Sequence, residues 1–318
     1  MGNKKINLII YGLSVLDEKG NRVFLNDIHD NKSLIDYVKE YIEKYVSMYI
    51  KDATRLTLFQ FDQINTETIK NKSGQEEFYV LYGRVKTGEY GIESELVDVD
   101  TEETTKRTSK QADMMPFGFC IAIPAGKVNS AVLILQTMGV YGMKVSLHRH
   151  LDKCINGMNL GYQLMLRAIA PKEYLEQYFK HGVLKKIRLI RYDIPQQEAN
   201  RIGINYGVQQ TKEELIIHRP IGFVERRKKD IRELLAGQKS YNELIEIEGF
   251  EYDDLKLEFS LGGGNKTFNL RDLDNMVVSE DVTKQVKVIG GHPEYEKLKL
   301  IMCSTAKKYL ISMGLLCE

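Results

Sequence analysis

Hydrophobic and polar positions alternate over the first part of the chain, and longer apolar runs follow. Residues 6–13 alternate as a strand does, Asp17-Glu18-Lys19-Gly20-Asn21 has turn composition, and Arg22-Val23-Phe24-Leu25 reads as the returning partner. Asn31 or Ser33 offers a helix cap, after which Leu34, Tyr37, Val38, Tyr41, Ile42, Tyr45, Val46 and Tyr49 recur at intervals of three and four. Tyrosines at that spacing suit a core face with wet hydroxyl tips. Strands are predicted over 55–61, 77–87 and 92–99, the last two joined by Gly88-Glu89-Tyr90-Gly91, in a largely antiparallel sheet. A strand over 117–123 then runs into Pro124-Ala125-Gly126, where the sequence places a boundary between an N-terminal α+β domain, 1–125, and a C-terminal α/β domain, 126–318.

The second part opens with the apolar run Ala131-Val132-Leu133-Ile134-Leu135-Gln136, and the segment from Met138 to Lys144 turns into a helix through His150 and Ile155. A helix over 171–181 starts on Pro171 and stops at Gly182. In the strand that follows, 183–192, Lys185, Lys186, Arg188 and Arg191 interleave with Val183, Ile187, Leu189 and Ile190, so cations line its more exposed side. After a strand over 214–218, a helix is predicted from 224 to 235, opening with Glu225-Arg226-Arg227-Lys228-Lys229 and continuing Asp230-Ile231-Arg232. A hairpin of 255–261 and 266–270 turns at Gly262-Gly263-Gly264-Asn265. The closing amphipathic helix, 293–313, turns Leu298, Ile301, Met302, Ala306, Leu310 and Ile311 to the core. The fold class is α+β: a mostly antiparallel N-terminal sheet with one helix, then an α/β part ending in a hairpin and a long helix.

Length and charge sharpen this picture. A chain of 318 residues suits two domains, and 43% hydrophobic residues supply the cores. With 45 Lys and Arg against 44 Asp and Glu, any electrostatic function has to come from local clustering. Two clusters exist. Between Glu89 and Glu103 lie seven acidic residues and no Lys or Arg, which reads as an acidic hairpin edge that discourages edge pairing or as a partner-binding arm. From Lys180 to Arg232 there are thirteen Lys and Arg against six Asp and Glu, a local +7, leaving 32 basic against 38 acidic residues elsewhere, or −6. A basic face segregated on an otherwise acidic chain is what contact with a phosphate backbone requires, because each neutralised phosphate releases condensed counterions. No run approaches the roughly 18 apolar residues of a membrane span, and the start Met1-Gly2-Asn3-Lys4-Lys5 has no secretory character. A cytoplasmic location is expected.

Catalytic patterns come up short. The three glycines at 262–264 precede a strand and no Lys-Ser or Lys-Thr pair, so they form a hairpin turn rather than a phosphate loop. Cys120, Cys154, Cys303 and Cys317 are too far apart for a metal knuckle, and Cys120 reads as a buried strand residue. His148 and His150, two apart on a helix, point away from each other. The one acidic-x-Lys pattern on a predicted strand, Asp253-Asp254-Leu255-Lys256, supports an alternative reading as a metal-dependent nuclease. Otherwise no catalytic residue, metal or cofactor is expected.

Four features together resemble a known family: Leu133-Ile134-Leu135-Gln136 before Tyr141-Gly142-Met143-Lys144, the run Arg226-Arg227-Lys228-Lys229-Asp230-Ile231-Arg232, the hairpin from Leu255 to Leu270, and the closing helix. Over residues 116–318 the chain resembles the RexA family of lambdoid phage exclusion and, more loosely, the KwaB component of the Kiwa defence system. The resemblance implies a homodimeric, sequence-nonspecific DNA-binding protein that senses phage infection or partners a membrane effector. The leading expectation is therefore a non-enzymatic binder of double-stranded DNA in phage defence, exclusion or abortive infection. Arg226, Arg227, Lys228, Lys229 and Arg232 are its first phosphate contacts, and Lys185, Lys186, Arg188 and Arg191 its second. Besides the nuclease, a third reading is a protein-interaction module, such as a phage-encoded inhibitor of host defence, whose acidic arm docks on a basic partner.

Overall fold

The computed structural model describes residues 4–168, 172–192, 196–201, 203, 211–236, 238–248, 250–261, 264–271 and 278–317. The chain divides into two units, one made of Met1–Ala168 with Val277–Glu318 and the other of Ile169–Met276. The first begins with β1 (Ile6–Leu16), α1 (Leu34–Glu43), β2 (Tyr49–Asp52), β3 (Thr57–Lys70) and β4 (Glu76–Glu89). A small hairpin of β5 (Ser94–Val97) and β6 (Thr104–Arg107) precedes β7 (Met115–Pro124), β8 (Ala131–Met138), β9 (Tyr141–Gly142), α2 (Lys144–Asn156) and β10 (Gln163–Ala168). The second unit holds α3 (Lys172–His181), β11 (Val183–Tyr192), α4 (Gln196–Arg201), β12 (Lys212–His218), α5 (Phe223–Arg226), α6 (Lys228–Leu235), β13 (Asp254–Leu261) and β14 (Gly264–Asn269). The chain then re-enters the first unit as β15 (Val278–Asp281), β16 (Val288–Ile289), β17 (His292–Pro293) and α7 (Tyr295–Ser312). The class is α+β, with the antiparallel N-terminal sheet and the long final helix after a hairpin that the sequence predicts.

The large sheet runs β10-β1-β8-β7-β4-β3-β2, every neighbouring pair antiparallel. Its central strands β7 and β8 are buried along nearly their whole length, Cys120 among them. Continuous apolar runs are what a sheet covered on both faces needs. On one face His150 of α2 stacks on Phe59 of β3 with ring centroids 4.7 Å apart. On the other, a Cβ added to Gly118 of β7 would lie 3.0 Å from Leu298 and 3.3 Å from Met302, so glycine lets α7 approach the sheet. Ser33 starts α1 with a capping box: its hydroxyl accepts from the Asp36 amide, and the Asp36 carboxylate accepts from the Ser33 amide.

Several sequence expectations are corrected. Residues 22–25 form no strand: Arg22 bridges Leu16 and the Val23 amide donates to the Val15 carbonyl at 3.0 Å, but from Leu13 back to Ile6 that edge of β1 belongs to β8, and β10 takes the other edge. Helix α1 stops at Glu43 instead of reaching Tyr49: the Ser47 amide donates to the Phe61 carbonyl at 2.8 Å, and Tyr49, 64% exposed, belongs to the edge strand β2. The segment 92–99 does not join the sheet, since β3 and β7 fill both edges of β4, and β5 pairs only with β6. Pro124-Ala125-Gly126 is no domain boundary; it connects β7 to β8, neighbours in one sheet. The units part instead at 168 and 277. Strands β10 and β15, which the sequence pattern leaves unassigned, pair end to end along one edge of β1, with Ala168 opposite Tyr11 and Val278 opposite Ile10. Pro171, Gly262 and Gly263 lie outside the described residues.

In the second unit the antiparallel sheet runs β12-β11-β13-β14. Ile187, Leu189, Leu255, Leu257, Phe259 and Phe268 build one core with Leu175 of α3 and Ile231 and Leu234 of α6. Among the described residues no helix is long and apolar enough to cross a membrane.

Candidate nucleic-acid interface

The helix predicted over 224–235 is broken at Arg227, whose backbone (φ −101°, ψ 14°) separates α5 from α6. Burial explains which way the pieces face. Ile231 and Leu234 enter the core, Phe223, Val224 and Leu235 pack partly against it, and Arg226, Arg227, Lys228, Lys229 and Arg232 are left exposed. Arg227 pairs with Asp230 at 3.2 Å and Lys229 with Glu233 at 3.7 Å. Asp230 also takes Lys239 at 2.6 Å, and that bond above all holds its carboxyl below the usual range. Arg226, Lys228 and Arg232 have no carboxylate partner among the described residues. As an anion in the first turn of α6, Asp230 offsets part of the conflict between these cations and the helix dipole.

Two further cations, earlier in the chain than this cluster, are joined to each other through the backbone. The Arg219 amide donates to the Lys185 carbonyl at 2.8 Å, joining the chain after β12 to the β11 residue where the register with β13 shifts. Both side chains are exposed. Arg219 counts toward the basic segment in the sequence, but nothing in its neighbours marks it as a contact; its place depends on a pairing with Lys185 thirty-odd positions earlier.

The other β11 cations are already occupied. Lys186 lies opposite Glu258 of β13 and pairs with it at 3.3 Å. Arg188 makes a two-pronged pair with Glu214 of β12, which holds the Glu214 carboxyl below its ordinary range. Arg191, opposite Glu213, pairs with it and lies 5.0 Å over the Phe250 ring with only 11% of its side chain exposed. Of the four strand cations proposed as contacts, Lys185 alone keeps an exposed charge without a carboxylate partner among the described residues. The register across three strands decides this, and one strand's sequence does not carry it.

Both carboxylates of the nuclease reading are also committed elsewhere. Asp254 is buried and accepts from the Tyr192 hydroxyl at 2.9 Å, with Arg271 3.5 Å away. The Asp253 carboxylate accepts from the Tyr192 amide at 2.6 Å. Lys256 shares the polar sheet face with Asp254. Among the described residues no group of three His, Cys, Asp or Glu is placed to hold a metal ion. His148 and His150 diverge on α2 as their spacing implies: His148 faces Asp152 at 3.7 Å, and His150 is buried against Phe59 and Phe61.

The acidic run becomes the β5–β6 hairpin, and every residue from 93 to 103 is exposed. Leu96, Val97 and Val99 stand out to solvent between the acids, Val99 at 86%. Compared with known proteins, the chain matches no family model and no curated protein sequence.

Proposed function

We propose that this chain binds double-stranded DNA without sequence preference through α5, α6, Lys185 and Arg219, and that it acts by binding rather than by catalysis. One observation carries the reading: five consecutive or near-consecutive cations, Arg226 to Arg232, are held outward by helices whose apolar side is fixed in a core. Exposed cations on a rigid support suit a phosphate backbone, since little side-chain support has to be built on binding and each contact releases counterions. The resemblance to the RexA family supports placing this activity in phage exclusion or abortive infection, in the cytoplasm, with a second copy of the chain and a membrane effector as partners. The test is retention of short duplexes of unrelated sequence. Affinities should agree across sequences and fall by about 500-fold between roughly 50 and 200 mM salt if about five phosphates are engaged. No retention at the lower salt removes the reading.

One observation favours a second reading, a protein-interaction module such as an inhibitor of host defence: the exposed apolar and acidic side chains of the β5–β6 hairpin. Such an arm would dock on a basic partner with an apolar cleft. Phage plating on a host that carries a defence system separates the two. An inhibitor raises plating and loses that effect when 92–106 is removed, whereas a defence protein lowers plating.

A further inference from the structure

Ile221 is 96% exposed at the crest of the turn that leads into α5. Single exposed aliphatic residues are common on protein surfaces and need no function. What distinguishes Ile221 is the way the turn holds it. Arg219 and Gly222 on either side both have positive φ, 48° and 80°, a conformation that costs a non-glycine residue such as Arg219. Pro220 fixes the position between Arg219 and Ile221. The Ile221 amide donates back to the Arg219 carbonyl at 2.8 Å, and the Phe223 amide to the Pro220 carbonyl at 3.3 Å. The turn is tethered to β11 through the Arg219–Lys185 backbone bond and to the core through Phe223. Cations flank the crest along the chain: a Cβ added to Gly222 would lie 3.8 Å from Arg226 Nε, so that guanidinium lies back along the turn, and the exposed Arg219, bonded through its backbone to the exposed Lys185, comes two residues before Ile221.

From this geometry we infer that Ile221 is a wedge that enters a base step of duplex DNA from the minor groove and kinks it, while Arg219, Arg226 and Lys185 hold the flanking phosphates. The inference rests on the DNA reading above and assigns that site a mode of action. An exposed aliphatic side chain flanked by cations on both sides along the chain calls for an apolar slot with anions on its rim. Stacked base pairs between two phosphate strands have that arrangement, and inserted Ile, Leu or Pro side chains are a general means of unstacking a step. A protein pocket would need an acidic rim instead.

The test uses the full chain, a duplex of 25 to 30 base pairs with 2-aminopurine at its TA steps, and end labels that report bending by energy transfer. The wild-type chain should raise 2-aminopurine fluorescence and shorten the end-to-end distance. Ile221→Ala should abolish both while keeping the salt slope and weakening affinity by less than about tenfold, because the apolar insertion and the unstacking it costs disappear together. Ile221→Phe should restore the fluorescence, and thermal unfolding of both variants should match wild type. Equal fluorescence and bending with wild type and Ile221→Ala, or retention of duplex with neither signal, overturns the wedge and leaves DNA binding standing. No retention by wild type overturns both.

Discussion

His150 shows how much one side chain can be asked to do inside the first unit. Its ring is buried between Phe59, Phe61 and Tyr41, and the Tyr41 hydroxyl lies 3.0 Å from Nδ1. Burial pulls the imidazole down to about 4, with Lys153 and Arg149 adding to the effect, while burial pushes Tyr41 up to about 12 and keeps it a donor. A neutral ring accepts that hydrogen bond; a protonated ring presents a second donor to it. The unfolded chain takes up the proton near 6.5, so the contribution is complete above that pH, is lost as pH falls from there to about 4, and changes no further below. Urea unfolding should show about 2 kcal/mol less stability at pH 4.5 than at pH 7 from this residue, and His150→Leu should flatten the slope within that window. A slope unchanged by the substitution would place the titration elsewhere. Asp254 poses the matching question in the second unit, where its buried carboxylate serves Tyr192. Neither the wild-type chain nor Asp254→Asn should nick plasmid DNA in magnesium or manganese. Reproducible nicking by wild type alone would restore the nuclease reading.

Between strands, register decides which charges remain available. Arg188 and Arg191 are tied to Glu214 and Glu213, so Arg188→Gln and Arg191→Gln should leave duplex affinity within about twofold. The Arg188–Glu214 pair is half-buried but still screened by solvent, and Arg188→Gln should cost about 1 kcal/mol. Arg191→Gln should cost about 1–2 kcal/mol in chemical unfolding, because the guanidinium also packs over Phe250. A large drop in DNA affinity in either variant would return these strand cations to the interface. The same reasoning explains what is legible in the sequence. Local periodicity reveals α1, α2, α3, α7 and most long strands, and the one-sided apolar positions Ile231 and Leu234 correctly point the α5–α6 cations outward. Long-range occupancy is hidden. Residues 22–25 and 92–99 have strand composition, yet the edges they would pair with are taken by β8 on β1 and by β3 and β7 on β4, and β8 and β7 come from later in the sequence. Lys185 and Arg219 are brought together only by the β11–β12 pairing, so neither can be ranked from its neighbours.

At the scale of the whole chain, the second unit is an insertion. Strands β10 and β15 run end to end along β1, Ala168 opposite Tyr11 and Val278 opposite Ile10, so 169–277 interrupts what is otherwise one line of pairing. Joining Ala168 directly to Val278 should therefore leave a first unit that unfolds cooperatively but no longer binds duplex. The excised segment 169–277 should keep that binding. A joined chain that fails to fold would show that the first unit needs its insert. The local +7 of residues 180–232 lies within the inserted unit, where twelve acidic against five basic residues outside that stretch offset it, so the charge is segregated inside one neutral unit rather than between the two. The claim that this basic face meets DNA is tested most directly by the salt dependence of duplex binding in the full chain with Arg226, Arg227, Lys228 and Lys229 all replaced by Gln. All four side chains are exposed on α5 and α6, so thermal unfolding should stay nearly unchanged. Affinity should drop by about tenfold or more, and the slope of log affinity against log salt should shrink by roughly 0.9 for each phosphate that is no longer neutralised. A folded variant with the wild-type slope and affinity would contradict the account and make the cluster a solvated face.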